Sequence, residues 1–261
     1  MFHKYVKNAI KNILKSFNIG VVNYSNIHEV GKNNETKHDL DFLLKLPDES
    51  LISARNLLKK SKAQLRQDLF VLSEIGYKND GYFVEFGATN GVELSNTYLL
   101  EKEFHWKGIL AEPARCWSQN LKNNRTCNIE TKCVWSSSNS VLTFNEVSSA
   151  ELSTINIFSS SDNHKDERKH GKTYEVETIS LTDLLDKYKA PQKIDYLSID
   201  TEGSEFEILK SFDFDKYEFK VITCEHNFTL MREKIYQLLT SKGYTRKFED
   251  ISKFDDWYVK S

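Results

Sequence analysis

Short apolar segments alternate with helical patterns over most of the chain, and this alternation restricts the fold more than any other feature. Parallel strands need a long crossover between them, usually a helix, whereas a tight turn can join antiparallel strands. The sequence therefore predicts an α/β fold with a doubly wound, mostly parallel sheet. The strand candidates are YFVEF (82–86), KGILAEP (107–113), YEVETI (174–179), IDYLSID (194–200) and KVITCEHN (220–227).

The end of the chain departs from this alternation. YTRKF (244–248) and DDWYV (255–259) have the pattern of two short strands without a helix between them. We expect them to form a hairpin that gives the sheet an antiparallel edge strand. The segment 127–145 is expected to form two more strands around a serine-rich turn, and the helical pattern over 49–76 should end at Gly76.

The first 62 residues are predicted to be an N-terminal helical extension and linker, followed by one domain over 63–261. Apolar residues recur at helical spacing over 1–17 with lysines between them, whereas residues 21–48 are polar and poorly periodic. A basic amphipathic helix can contact an anionic membrane surface, but such a stripe usually packs against protein. Peripheral membrane contact, packing on the domain and a homodimer contact all stay open.

Composition excludes several classes of protein. The chain has 36 basic and 38 acidic residues and a net charge of −2, so no overall positive charge favours a nucleic-acid partner. No apolar run in the sequence approaches the roughly 20 residues that a transmembrane helix needs. The four cysteines form no CxxC pair, which is typical of reduced thiols in a cytoplasmic protein.

Polar residues follow four of the predicted strands at the point where each strand ends. In an open α/β sheet the ligand crevice lies beyond the carboxyl ends of the strands. One charged residue at a strand end is ordinary, but four polar ends together predict a ligand site. The four ends are Glu85 to Gly91, Glu112 with Pro113, Asp200 to Gly203, and Glu225 to Asn227.

The stretch GYFVEFGATNG (81–91) narrows the choice of ligand. Its glycines suit a positive φ or a close approach to the backbone, but its spacing is E-x-G-x-T-x-G and not the GxGxxG of dinucleotide folds. Glu85 would repel a pyrophosphate, whereas it suits a cofactor with a cationic amino-acid end. Glu112 lies 21 residues after Gly91 and can hold a ribose. These features favour S-adenosylmethionine over NAD, with a tight turn and an incidental acid as the alternative.

Five motifs occur in order along the chain: QLRQDLFVL, YFVEFGATNGVELSNTYLLE, GILAEP, YEVETISLTDLL and IDYLSIDTEGSEFEIL. Together they resemble the FkbM-type methyltransferases, and the resemblance extends from about Gln64 to Tyr244. It implies a Rossmann-like class I methyltransferase fold that binds S-adenosylmethionine. Members of this family typically methylate oxygen on sugars or natural products.

The resemblance also implies which residues bind the cofactor. By position, they are Glu85, Gly87, Ala88, Thr89, Gly91, Asn96, Glu112, Pro113, Trp135, Ser136 and Asp200. The first five surround the methionine end, and Asn96 contacts the amino-acid part. Glu112 matches the acid that holds both ribose hydroxyls, while Trp135 and Ser136 fall where adenine is usually held. Thr89 departs from the pattern, because many methyltransferases have glycine there.

Methyl transfer to an alcohol requires that the hydroxyl be oriented and lose a proton. Asp200 is predicted to orient the acceptor and His226 to act as general base. Glu202 and Glu225 are supporting candidates, and a structural hydrogen-bonding role is the alternative for His226. Asp200, Glu225 and Asn227 could instead hold a divalent metal such as Mg²⁺ through oxygen ligands, although a neighbouring histidine is not a typical Mg²⁺ ligand.

Two other polar segments are expected to face solvent. Glu205 and Glu207 begin the helix after IDYLSID. The charged run over 162–172 is either a solvated loop or a mobile lid that recognises an anionic acceptor group. Its basic residues are His164, Arg168, Lys169, His170 and Lys172.

These features predict an S-adenosylmethionine-dependent methyltransferase that acts on oxygen in a sugar or nucleotide-linked glycan precursor. The acceptor is expected to be a small molecule or glycan, and anionic if the charged run is a lid. The Lys- and Asn-rich, Pro-poor composition is typical of an AT-rich bacterial genome, and the family suggests surface polysaccharide biosynthesis. The alternatives are N-methylation of a small acceptor, a non-catalytic binding module, and a nicotinamide oxidoreductase, which Glu85 and the missing GxGxxG disfavour.

Overall fold

The structure is a computed structural model that describes residues 24–159 and 165–261. The apolar stripe over 1–17 and His164 lie outside the described residues, so the predictions made for them stay predictions. The chain divides into two compact units, residues 1–44 and residues 45–261.

Helix α1 (Tyr24–Lys45) occupies nearly all of the described part of the first unit. Irregular structure is expected from the sequence over 21–48, so the helix is a difference from that prediction. Its residues are mostly polar, and apolar side chains do not recur in it at helical spacing, which is the pattern that predicts a helix. However, the segment contains one glycine and no proline, and Pro47 follows soon after its end, where proline commonly stops a helix.

The described residues of the second unit contain seven α-helices and eleven strands. The helices are α2 (Asp48–Leu57), α3 (Gln67–Glu74), α4 (Tyr98–Phe104), α5 (Ser118–Asn124), α6 (Leu181–Lys187), α7 (Glu205–Ser211) and α8 (Met231–Ser241). The strands are β1 (Tyr82–Phe86), β2 (Lys107–Ala111), β3 (Asn128–Glu130), β4 (Cys133–Trp135), β5 (Val141–Glu146), β6 (Thr154–Ile155), β7 (Lys172–Ser180), β8 (Lys193–Ile199), β9 (Glu218–Glu225), β10 (Tyr244–Lys247) and β11 (Asp255–Lys260).

Seven strands form the main sheet in the order β10-β11-β9-β8-β1-β2-β3. The five strands from β9 to β3 are parallel, and β11 pairs antiparallel with both β9 and β10. This arrangement confirms the predicted α/β fold with a doubly wound, mostly parallel sheet and an antiparallel edge. The helical pattern over 49–76 forms two helices rather than one, with Arg66 in the left-handed region (φ 68°) just before α3.

The direction of chain progression reverses between β1 and β8. From β1 the chain proceeds to β2 and β3 on one side, and from β8 it proceeds to β9 on the other. β1 and β8 are direct neighbours, with Glu85 opposite Ser198. Such a switch point opens a crevice beyond the carboxyl ends of the two strands.

A second sheet has the strand order β4-β7-β5-β6 and is not predicted from the sequence as a separate sheet. Its longest pair is antiparallel and places Val141 of β5 opposite Glu177 of β7. It has an apolar cluster of its own, made of Ala114, Cys133, Phe144, Ile155 and Val176. Between β5 and β7, the residues Ala150, Glu151, Ser153 and Ile155 line the cleft of the main sheet.

The main core is formed by the strands of the large sheet and the helices around it. Val84, Leu197 and Ile222, in the middle of three adjacent parallel strands, are fully buried together with Ile208 of α7. Burial on both faces explains why these strands are continuous apolar runs. Among the described helices, none combines the length and the apolar content that crossing a bilayer requires.

Candidate active site

A cleft of about 970 Å³, including open solvent at its mouth, lies beyond the ends of β1, β2 and β8. The predicted site residues that line it are Glu85, Gly87, Thr89, Asn96, Glu112, Pro113, Asp200 and Glu202. The predicted residues that are not part of the lining are Ala88, Gly91, Trp135, Ser136, Glu225 and His226.

Gly87 lies where the turn after β1 passes the end of β8. Its φ is +72°, and a Cβ added there would stand 2.1 Å from the backbone oxygen of Asp200. No side chain fits such a gap, so glycine is required at this position both for φ and for space. The turn is fixed from the other side by a hydrogen bond from Gly87 N–H to the Ala111 oxygen, 3.1 Å.

Glycine is required at position 91 for a different reason. Its φ is also positive, +80°, but an added Cβ would meet Leu121 Cδ1 at 2.6 Å and Arg125 Cγ at 2.7 Å. The glycine therefore makes room for side chains on and just after α5, and it does not border the cleft.

Glu85 holds the loop that precedes α4. One oxygen accepts the Asn96 N–H (2.7 Å), and the other accepts the hydroxyls of Ser95 (3.0 Å) and Thr97. The carboxylate is almost completely buried, and Arg125 lies 3.7 Å away. Both of its oxygens are therefore already engaged, so Glu85 shapes the wall of the cleft by positioning Asn96.

Arg125 is a site-shaping residue that the sequence does not reveal. Its fully buried guanidinium donates to Glu101 (2.7 Å), Thr97 Oγ1 (2.9 Å), Ser95 Oγ (3.1 Å) and the Gly91 oxygen (3.1 Å). It thereby joins the turn after β1 to the loop before α4. In the sequence it stands in the polar run KNNRT, where nothing distinguishes it from a solvated arginine.

Asn96 has one satisfied and one unsatisfied side-chain atom. Its Nδ2 donates to Ser198 Oγ at 2.9 Å, whereas its buried Oδ1 has no hydrogen-bond partner among the described residues. A buried polar atom without a partner is costly. Because Asn96 lines the cleft, a ligand N–H is the group that this oxygen is arranged to accept.

Glu112 receives two backbone hydrogen bonds at the end of β2. Its oxygens accept the N–H groups of Thr89 (2.9 Å) and Ala114 (2.8 Å). Burial, together with the smaller effect of the charges of Asp200 and Glu146, raises its pKa to about 7 against these hydrogen bonds. Thr89 has a φ of +46°, the left-handed conformation for which glycine is better suited.

Trp135 and Ser136, predicted to contact adenine, follow the end of β4. The Trp135 ring packs beside the apolar cluster of the second sheet, 6.0 Å from the ring of Phe158. The cleft lining includes Cys133 and Val134 of the same strand instead. The adenine contact of Trp135 and Ser136 stays a prediction.

Asp200, Glu202 and Glu225 bring carboxylate oxygens within 4.8 Å of one another, which is close enough to share a divalent cation. Burial raises the pKa of Asp200 to about 7, while a hydrogen bond with Glu225 lowers it. Burial and the charge of Asp200 hold the pKa of Glu225 well above its ordinary value. Asn227, the third ligand expected from the sequence, donates its amide to Glu202 Oε2 at 3.2 Å instead.

Two expectations of solvent exposure are wrong. Arg168 is fully buried: its Nη2 donates to Glu202 Oε2 at 2.8 Å and its Nε to the Leu152 oxygen at 2.7 Å. It is therefore not free to recognise an anionic acceptor as part of a lid. Glu205 is buried because its Oε1 accepts the backbone N–H groups of Thr201 (2.9 Å) and Gly203 (3.0 Å). In the described part of the charged run, Lys169, His170 and Lys172 are exposed.

His226 fixes the turn after β9. Its Nδ1 accepts the Phe228 N–H at 3.0 Å, and its Nε2 lies 3.7 Å from Asp256 Oδ1. Burial lowers its pKa, with the Asp256 charge opposing that effect. Its role as general base stays a prediction, while Asp200, which borders the cleft, is better placed to meet an acceptor.

The parallel sheet, the switch point and the cleft define a Rossmann-like class I methyltransferase fold. The sequence matches the Methyltransferase FkbM domain over residues 85–246, which is more than half of the chain. The chain therefore belongs to the FkbM methyltransferase family, and the enzyme class is methyltransferase.

Solved structures resemble this chain at low identity. A methyltransferase FkbM from Methylobacillus flagellatus KT is 14% identical with a TM-score of 0.47, and the match covers 87% of this chain and 59% of that chain. Precorrin-6y C5,15-methyltransferase from Geobacter metallireducens GS-15 is 13% identical with a TM-score of 0.39, over 69% of this chain and 71% of that chain. A search of curated proteins found no significant match to the chain.

Proposed function

We propose that this methyltransferase uses S-adenosylmethionine and methylates a hydroxyl oxygen of a sugar or nucleotide-linked glycan precursor. The supporting observation is the group of residues at the switch point, where Gly87, Asn96 and Glu112 meet in one cleft. The acceptor class rests on the family resemblance. The same resemblance and the composition favour the bacterial cytoplasm and surface polysaccharide biosynthesis as the setting.

The residues of the cleft suit the chemical parts of S-adenosylmethionine. The unpartnered Asn96 Oδ1 suits the ammonium group of the methionine part. The Glu112 carboxylate has acceptor capacity beyond its two backbone hydrogen bonds, which suits two ribose hydroxyls. No Lys, Arg or His occurs in the described lining, so the pyrophosphate of NAD would meet carboxylates without a compensating cation.

Asp200 is the residue that we assign to the acceptor. S-adenosylmethionine supplies a methyl carbon that is electrophilic because it is bonded to a sulfonium sulfur, which keeps the electron pair of the broken C–S bond. The acceptor oxygen forms the new C–O bond and releases its proton to a base. Asp200 lines the cleft, and a pKa raised to about 7 by burial lets its carboxylate accept a proton near neutral pH. Glu225 supports Asp200 through their hydrogen bond.

Calorimetric titration with S-adenosylmethionine, S-adenosylhomocysteine and NAD tests the cofactor. We expect the two adenosyl compounds to bind wild-type protein and NAD not to bind. Glu112→Ala should weaken both by at least about tenfold, since it removes the ribose acceptor. The exposed, cleft-remote Glu177→Ala is the control and should bind as wild type does. Binding of NAD alone would favour the oxidoreductase, and binding of nothing by folded protein would favour the non-catalytic module.

A divalent cation is the second component to test. The carboxylates of Asp200, Glu202 and Glu225 could hold Mg²⁺, but Glu202 already accepts hydrogen bonds from Arg168 and Asn227. Production of S-adenosylhomocysteine from an acceptor panel, with and without a chelator, separates the alternatives. Activity that is lost with chelator and restored by Mg²⁺ would assign the metal to these residues.

A further inference from the structure

All the Asp, Glu, Lys, Arg and His side chains in the described lining of the cleft are acidic ones. This lining includes seven carboxylic side chains and no Lys, Arg or His. The seven are Glu85, Glu93, Glu112, Glu151, Asp200, Glu202 and Asp255. The whole chain, by contrast, is nearly balanced, with a net charge of −2. Acidic residues are therefore concentrated at the site, and this concentration bears on the charge of what binds there.

Four of the seven already have a partner or an assigned role. Glu85 lies 3.7 Å from buried Arg125, and Glu202 pairs with buried Arg168 at 2.8 Å. Glu112 is assigned to the ribose. Asp200 is assigned to the proton of the acceptor hydroxyl. Among the buried or half-buried carboxylates this leaves Asp255.

Asp255 lies outside the five motifs that carry the family resemblance. It begins β11, on the antiparallel side of the sheet, opposite Glu225 of β9. Its Oδ2 accepts a hydrogen bond from Gln67 Nε2 at 2.8 Å, and Gln67 is itself fixed because its Oε1 accepts the Leu65 N–H at 2.9 Å. Asp255 is thus held by a neutral amide in the wall of the cleft.

Asp200, Glu225 and Asp255 form a group of carboxylates without a basic partner within ion-pair distance among the described residues. One positive charge from the cofactor would offset only one of them. An acceptor with a phosphate or carboxylate would meet no cationic side chain in the described lining, whereas a cation would favour the ionised form of these carboxyl groups and pair with it. Gln64, Gln67 and Ser153 supply neutral hydrogen-bonding groups at the same cleft.

We propose that the acceptor carries a protonated amine, which binds against Asp255 and leaves Asp200 to accept the proton of the hydroxyl, and that it does not carry a phosphate or carboxylate at this position. The amine serves only to recognise the acceptor, and the atom proposed to receive the methyl group is the hydroxyl oxygen. This inference rests on the proposed function, because it assumes that the other side of the cleft holds S-adenosylmethionine. It reverses the expectation of an anionic acceptor that the charged run over 162–172 suggested.

The test compares three hexoses of different charge on the protein saturated with S-adenosylhomocysteine. Glucosamine, glucose and glucose 6-phosphate are titrated calorimetrically at pH 6.5 and about 0.15 M salt. We expect glucosamine to bind at least about tenfold more tightly than glucose, and glucose 6-phosphate to bind most weakly. Asp255→Asn should reduce the advantage of glucosamine to about threefold or less and leave S-adenosylhomocysteine binding unchanged. Asp215→Asn, the same change at an exposed site outside the cleft, should keep the full advantage.

Equal binding of the three sugars, tighter binding of the phosphate, or binding of none would overturn the inference. So would an advantage of glucosamine that disappears when Mg²⁺ is added, since the carboxylates would then serve a metal. The comparison on wild-type protein stands even if Asp255→Asn does not fold. S-adenosylhomocysteine binding is measured first. Its absence contradicts the proposed function, whereas its presence without an amine preference contradicts this inference alone.

Discussion

The two glycines of GYFVEFGATNG show what can and cannot be predicted for single residues. Both have positive φ, as the sequence suggests, but Gly87 faces the Asp200 backbone at the cleft, whereas Gly91 faces Leu121 and Arg125. These partners lie elsewhere along the chain, so the sequence indicates a special backbone position without indicating its cause. Only Gly87 is expected to affect the site directly.

Gly87→Ala should both destabilise the protein and abolish cofactor binding. The added Cβ would lie 2.1 Å from the Asp200 oxygen, so the turn or the end of β8 must move, and alanine is also strained at a φ of +72°. We expect a loss of about 3 kcal/mol or more in the free energy of unfolding. Urea unfolding and calorimetry with S-adenosylhomocysteine measure the two effects.

Gly76→Ala is the matched control. Gly76 has a similar φ of +67°, but no heavy atom lies within 4 Å of the position of an added Cβ. Only backbone strain remains, so we expect a loss of about 1 kcal/mol and normal cofactor binding. Equal losses for the two variants would contradict the steric explanation at Gly87.

The proton acceptor can be distinguished by comparing Asp200→Asn with His226→Asn. Asp200 borders the cleft and His226 does not, so we expect Asp200→Asn to lower kcat/KM by about 100-fold or more. We expect His226→Asn to keep most of the activity. In the wild type, activity should rise with pH towards about 7, because a carboxylate accepts a proton only when ionised and burial raises the Asp200 pKa to about 7.

The comparison of Asp200→Asn with His226→Asn can be interpreted only if both variants bind S-adenosylhomocysteine as the wild type does. Under this condition, a complete loss of turnover in His226→Asn with an active Asp200→Asn would establish the histidine as general base. The assignment of Asp200 made from the geometry of the cleft would then be wrong.

At the scale of elements, the sequence predicts most strands of both sheets, including β7 and the two strands around the serine-rich turn in 127–145, but it does not predict that β4, β5 and β7 form a separate sheet. Each parallel strand is a continuous apolar run followed by a crossover, and both signals are local. The second sheet depends on pairing between β5 and β7, which are joined by a long polar segment with no turn signal for a hairpin. The sequence does not predict helix α1 either, because apolar side chains do not recur in it at helical spacing.

The buried Arg168 is predicted to fasten the second sheet to the main one. Its guanidinium contacts Glu202 after β8 and the Leu152 oxygen before β6, and Thr154 Oγ1 adds a hydrogen bond to the Glu202 oxygen at 2.9 Å. Arg168→Met would leave Glu202 buried without its cation, which typically costs about 3–5 kcal/mol. We expect hydrogen exchange over 150–158 to increase more than exchange in β1 and β8.

Lys169→Met controls for loss of charge in the same turn. Lys169 is exposed and pairs with Asp166 at the surface, where such pairs contribute little. We expect no measurable change in exchange or stability. Uniformly faster exchange across both sheets in Arg168→Met would argue that the residue supports the whole fold rather than this junction.

At the scale of the whole molecule, the cleft is where distant parts of the chain meet. Gln67 and Asp255 are 188 residues apart yet share a hydrogen bond at its wall. Four polar strand ends could be placed together from the sequence because parallel strands end at one edge of a sheet. Asp255 could not be placed with them, since it begins a strand that runs antiparallel and its position depends on the register with β9.

This concentration of acids predicts how stability depends on pH. Burial raises the pKa of Glu112, Asp200 and Asp255 to about 7 in the folded protein, whereas the ordinary values are 4.5 for Glu and 3.8 for Asp. Between about pH 4.5 and 7 the folded chain therefore keeps protons that the unfolded chain releases, so stability falls as pH rises.

We expect the free energy of unfolding, measured with urea in the absence of ligand, to be a few kcal/mol lower at pH 8 than at pH 5.5. Each unit by which a carboxyl pKa is raised in the folded protein contributes on the order of 1 kcal/mol. A ligand with positive charge should lower these pKa values and flatten the slope. Stability that instead rises across this range would mean that the three carboxyl groups are ionised in the folded protein. The cleft would then hold its negative charge without a ligand, and a cationic ligand would bind without changing the slope.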